Sequence, residues 1–358
     1  MSFAISPAAL TDHASALRTC AESTSTAKSY ASEHLTLELY EMGLVFQQAR
    51  GKVHELRDGI RSYLDTLHTA DTASATELDA TAARSIELDD AVEAELDAAY
   101  PDSGAAVPLP ADSSPGAVCI APPETALVAP PTSAPTDLAT EILTTNWLSP
   151  STILDQAIGL ITGLFGLDSP FERVGKSFSG DWDHLYESGE SAKNLATYLE
   201  RQADARRTAM ATTAESWEGE AATAATTFFA RQGEVLDEAA SKLKDTQPEF
   251  DALVRGMRSS ANLATGLMAT IIDASLIAWG CYAVGGATAA TGIGAIIGGI
   301  CGTGAVGVAV YALYELFTLC QNLYAMLDGL TSLIGLAMSF LLATDTLPQI
   351  SSYDNTQV

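Results

Sequence analysis

The chain has 358 residues and a formal net charge of −27. That length accommodates two or three domains, and the charge excludes binding to a nucleic-acid backbone, which requires clustered Lys and Arg. Alanine, leucine, threonine and acidic residues dominate while alternating Val/Ile/Thr runs are scarce, so the composition predicts an all-α fold.

The N-terminal stretch "MSFAISPAALTDHASALRTC" has neither a basic start nor a continuous apolar core. That speaks against cleaved Sec export and leaves the cytosol or an export route that reads folded helices. Pro7 suits the first turn of a helix, and Leu10, Ala14, Leu17, Ala21 and Ala27 follow at roughly helical spacing. After a break near Gly43, Leu56, Ile60, Tyr63, Leu64 and Leu67 form a second stripe at three and four residues. The pattern predicts a helical hairpin over 1–100, extended by the acidic run "IELDDAVEAELDAAY", which reads as a solvated helix face. Residues 101–137 are rich in proline, which forbids helix interiors and central strands and predicts an extended linker.

A short apolar segment, "ILTTNWLSPSTILDQAIGLITGLFGL", precedes the most regular part of the chain. From Trp182, the residues Leu185, Ala192, Ala196, Leu199, Ala203, Met210 and Trp217 fall on one three-four repeat. Beyond Gly219 the repeat restarts at Ala222, Ala225, Phe229, Leu236, Ala239, Leu243, Phe250, Leu253 and Met257. Two long helices of this period joined by a tight turn predict an antiparallel hairpin over 138–262. Gly219 supplies backbone freedom at the reversal and Trp217 packs across its base. Trp182, Leu195, Leu199, Phe228, Phe229 and Leu236 are the expected packing residues. Arg206, Gln232 and Thr246 interrupt the stripes, and Pro248 is expected to kink or end the second helix.

The turn "SWEGEAATAATTFF", a Trp-x-Gly between two long helices followed by paired alanines and an aromatic, resembles the WXG family. These are helical-hairpin substrates of type VII (ESX) secretion in actinobacteria and relatives. The upstream "SGDWDHLYESGESAKNLATYL" is similar to longer WXG-domain proteins, and the likeness covers about residues 165 to 262. The stretch from "ISPAALTDHASAL" to "ARSIELDDA" separately resembles ESX secretion-associated proteins, which share a hairpin with a central glycine, here Gly43. The resemblance implies a Tyr-x-x-x-Asp/Glu export signal after such a hairpin; the aligned "RSIELDD" has Ser85 or Ile86 in place of the tyrosine. Literal matches lie elsewhere, at Tyr186 with Glu190, before the Trp-x-Gly turn, and at Tyr324 with Asp328, in apolar sequence, so neither sits where the family puts its signal.

The chain from 263 to 345 is apolar, with no charge from Ala274 to Tyr314 and no Lys or Arg after Arg258. A helical hairpin turning near "GGATAATGIG" fits this length, and Gly294, Gly298 and Gly302 repeat at the four-residue spacing that permits close helix approach in lipid. A buried soluble core of the same composition is the alternative. The polar end, 346–358, has no toxin-like domain.

Motifs for chemistry fail on context. "VGKS" has Pro170 where a phosphate loop needs glycine, and "GTGAVG" (Gly302, Gly304, Gly307) lacks a preceding strand. His13, His34, His54, His68 and His184 are isolated, and the five cysteines (Cys20, Cys119, Cys281, Cys301, Cys320) lack ligand spacing. No cofactor, metal, nucleic-acid partner or enzymatic activity is therefore expected. The resemblance implies a non-enzymatic substrate or accessory protein of type VII secretion, secreted or associated with the cell envelope. Its implied partners are another WXG-like hairpin protein or chaperone and the secretion machinery. A membrane-anchored protein inserting its Gly-rich hairpin, and a carrier module of a polymorphic toxin system, are the alternatives.

Overall fold

A computed structural model describes residues 5–38, 44–99, 120–131, 182–287 and 293–342. The protein is all-α: among the described residues every regular element is a helix. They are α1 (Pro7–His34), α2 (Leu44–Ala99), α3 (Trp182–Ala214), α4 (Glu220–Ala287) and α5 (Ile293–Leu341), with a 3-10 turn at Pro123–Ala126. Gly43 and the segment 142–167 lie outside the described residues.

Helices α1 and α2 pair through the two stripes legible in their sequence, with Ala27 and Ala31 of α1 in one cluster with Leu56, Ile60, Leu64 and Leu67 of α2. Past Ser85, the described residues of α2 are all exposed, so the acidic run stands in solvent as a lone helix. Helix α4 is 68 residues long, about 100 Å, and acts as the spine. Its first part pairs with α3 so closely that a Cβ built on Gly189 would come within 2.6 Å of Phe250 Cβ. Its second part pairs with α5 in antiparallel register, since a Cβ on Gly256 would meet Met326 Sδ at 2.4 Å, and one on Gly329 would meet Glu249 Oε2 at 3.3 Å. Helix α5 then returns to α2, where Met338 lies against Gly59.

Two expectations shift. Pro248 does not end its helix: α4 runs through it and on past residue 262 into the apolar tail. Pro248 is exposed, so the carbonyl it leaves without an N–H partner, on exposed Lys244, can be hydrated, while Phe250 and Leu253 keep the inner face packed. The proline-rich linker, second, is not wholly a free spacer. Residues 120–131 are strapped onto the body, where Val128 O accepts from Tyr30 Oη at 2.8 Å and Asn194 Nδ2 at 3.1 Å. One apolar cluster runs through all five helices and the 3-10 turn, so the two hairpins and the tail share a core.

The close approach of α3 and α4 yields a prediction of sign. A helical Gly→Ala substitution ordinarily stabilises by about 1 kcal/mol. Gly335→Ala on α5, with open space around it, should follow that rule, whereas Gly189→Ala should destabilise by about 1–3 kcal/mol against Phe250. Urea unfolding of both variants tests this; stabilisation by Gly189→Ala would mean that the helices stand further apart.

Candidate functional site at the Trp-x-Gly turn and the apolar tail

Helix α3 ends by tightening: Glu215 N–H donates to Thr212 O at 3.3 Å and Ser216 N–H to Thr213 O at 3.1 Å. Gly219 then takes a φ of 121°, the one positive φ among the described residues, and its carbonyl accepts the opening bond of α4 from Thr223 N–H at 3.1 Å. That conformation strains any side chain bearing a Cβ, which is why glycine stands there. Trp217 is 3% exposed and packs with Met210 of α3 and with Ala222, Ala225 and Phe229 of α4.

The turn is also covered from outside its own hairpin. Leu10, Ala14 and Leu17 of α1, with Ala75, Leu78 and Ala82 of α2, belong to the same cluster as Trp217. Ser6 N–H donates to Ser216 O at 3.1 Å, docking the start of α1 on the turn. His13 of α1 stacks on Phe229 at 4.6 Å, fully buried, and neither ring nitrogen has a hydrogen-bond partner. Burial pushes the His13 pKa down to about 4, with the Arg206 charge adding to the effect.

Arg206, which interrupts the sequence stripe, proves to be the polar centre of this interface. Its guanidinium pairs with the Asp71 carboxylate of α2, and both side chains have 0% exposure. It also donates to Gln202 O at 2.6 Å and Gln202 Oε1 at 2.7 Å. Gln202 Nε2 in turn reaches Cys20 O at 3.0 Å and Ser23 Oγ at 2.7 Å on α1, and Tyr198 Oη at 2.5 Å. Burial lifts the Asp71 carboxyl above its ordinary value against the pull of Arg206. Burial works against the Arg206 charge, but the Asp71 carboxylate, with Cys20 and Tyr198 adding to it, holds the guanidinium above its ordinary value. The Cys20 thiol is pushed up to about 12 by burial, which makes it a poor nucleophile. No local signal in the sequence marks Asp71 as the partner, because it lies 135 residues away.

The remaining expected residues divide between structure and surface. Leu195, Leu199, Phe229 and Leu236 are buried, Phe228 stacks edge-on against Phe229 at 5.1 Å, and Trp182 meets Phe46 of α2 edge-on at 5.2 Å. Tyr186 packs against the core, and Glu190 is engaged by Gln247 Nε2 at 2.8 Å and Lys193 Nζ at 3.1 Å. Tyr324 packs on the core while Asp328 is exposed. Gly302 is buried; the surroundings of Gly294 and Gly298 lie outside the described residues.

The tail presents the opposite character. Gly302–Leu341, 40 residues, is long and apolar enough to cross a membrane, and only 17% of its most apolar window is buried. Tyr311 and Tyr314 are each 64% exposed and Phe317 61%, beside exposed Val308 and Val310. Among the described residues no group of three or more His, Cys, Asp or Glu is placed to hold a metal ion. No protein-family model, curated protein or solved structure matches the chain.

The buried pair predicts non-additive energetics. Arg206→Met alone strands the Asp71 carboxylate and should cost about 3–5 kcal/mol, whereas adding Asp71→Leu should recover most of that loss. A double variant as damaged as the sum of the singles would show the two side chains to be uncoupled. His13 predicts a pH dependence. Its folded pKa lies below the unfolded 6.5, so the unfolded chain takes up the proton first as pH falls. Stability is therefore lost between pH 6.5 and 4, by up to about 3 kcal/mol. Comparing wild type with His13→Leu isolates this contribution, since the many carboxylates are common to both; parallel stability–pH curves would refute it.

Proposed function

We propose that the chain is a non-catalytic substrate or accessory protein of type VII (ESX) secretion, and that its recognition unit is a bundle of two hairpins assembled within one chain. The observation that carries the reading is the Trp-x-Gly turn, with Trp217 3% exposed and Gly219 at positive φ between two long antiparallel helices. A bare WXG-like hairpin has an apolar seam that needs a partner hairpin. Here α1 and α2 lie over that seam, with Leu10, Leu17 and Leu78 packed around Trp217. The pairing is accordingly supplied in cis, and a chaperone or the secretion machinery reads the outside of the finished bundle. The exposed acidic end of α2, where Leu88, Val92 and Leu96 are each more than half exposed at four-residue spacing, is the surface most open to such a reader.

Fractionating the native host into cytosol, membrane, wall and medium, with and without an intact type VII system, tests the reading. Arrival in the wall or medium only when the system is intact is the expected result. An identical distribution in both strains would overturn it, leaving the Trp-x-Gly turn as hairpin architecture alone.

A further inference from the structure

We infer that the exposed end of α2 is a docking face for an amphipathic helix of another protein, one whose apolar stripe is bordered by Lys and Arg. The inference deepens the secretory reading and rests on it for the partner's role in export, while the binding itself is read with purified protein.

The face continues the one by which α2 joins the bundle. Leu78, Thr81 and Ser85 are buried, and Leu78 packs in the cluster that holds Trp217. Leu88, Val92 and Leu96 follow at three- and four-residue spacing. All six positions lie within about 80° of one another around the helix axis. None of the described residues covers this face past Ser85, and Leu88, Val92 and Leu96 are each more than half exposed. Residues 86–99 carry the stripe about 21 Å beyond the last buried position. A lone helix with one narrow apolar stripe is the half of a pair that a second helix completes, stripe against stripe.

Charge at the borders of the stripe states what that second helix carries. Asp89 and Glu93 border it on one side and Glu95 on the other, all exposed. Arg84, 3.3 Å from Glu87, is the last Lys or Arg before Arg173. The borders are therefore of one sign, and border charges set the choice of partner in paired helices. A helix with Lys and Arg beside its own apolar stripe meets carboxylates along both edges.

The same charges disfavour the other occupants. A second copy brings −27 to −27 and sets acidic borders against acidic borders. The chain's own apolar stretch, 142–167, contains Asp155 and no Lys or Arg, so it offers these borders no counter-charge. A helix that lies on a membrane carries Lys and Arg beside its apolar face, the reverse of this one.

The test is titration of the full-length chain, followed by fluorescence anisotropy, with a designed helical peptide whose leucines repeat at three and four residues between borders of Lys and Arg. The chain should bind it, and a peptide with the same leucines between borders of Glu should bind at least about tenfold more weakly. Val92→Ser, at the centre of the stripe, should weaken binding of the basic peptide about tenfold. Val308→Ser, at an exposed apolar position on α5, should leave it unchanged. Circular dichroism melts of both variants should match wild type. No binding, equal binding of the two peptides, or a Val92→Ser chain that binds like wild type would overturn the inference. So would a lowered melt for Val92→Ser, which would show the stripe covered by the chain itself, or a wild-type dimer in sedimentation that Val92→Ser dissolves. The fractionation that tests secretion is read separately: peptide binding without type VII-dependent export keeps the docking face and removes the secretory reading, and export without peptide binding does the reverse.

Discussion

A guanidinium and a carboxylate shut away from water fix how the two hairpins meet. Arg206 on α3 and Asp71 on α2 can share a dry interior only at contact distance, because each alone would carry an uncompensated charge into a low-dielectric environment. A shift of either hairpin by one helical turn, about 5 Å, would break the pair. Gln202 extends the constraint to α1 through Cys20 O and Ser23 Oγ. Once α1, α2 and α3 are tied at this level, Leu10, Leu17 and Leu78 necessarily arrive over the turn that holds Trp217. An apolar contact of the same area would tolerate sliding; an ion pair does not.

Helix α4 joins two environments without a break. Its first half presents a stripe of Ala225, Phe229, Leu236 and Leu243 to α3 and leaves polar residues outside. Its second half faces α5 and carries exposed Leu276 and Ile277. One helix about 100 Å long, with Pro248 inside it, thus carries both the Trp-x-Gly end and the apolar end.

How much of this was legible in the sequence depended on how local each determinant is. The turn at Trp217 and Gly219 could be read because reversal chemistry sits in a few consecutive residues. The stripes on α2, α3 and α4 could be read because a three-four repeat is a property of one helix. Arg206 read as a flaw in a seam, since its meaning lies in Asp71, a residue of the other hairpin with no spacing relation to it. Pro248 read as a break because its effect turns on whether the freed carbonyl faces water, which the burial pattern alone decides. The seating of Val128 against Tyr30 and Asn194 was hidden for a related reason: proline-rich composition reports the backbone that is forbidden, not the surface it will rest on.

The surface between the hairpins is specific at some cost in strength. Trp217 Nε1, both His13 nitrogens, Tyr63 Oη and Arg206 Nε are buried there without hydrogen-bond partners. Each such group forgoes about 1–3 kcal/mol relative to a satisfied one. The stripes inside α1–α2 and α3–α4 are dominated by Ala, Leu and Phe. Register is enforced by the ion pair, at the expense of the polar atoms that the pairing leaves unmet.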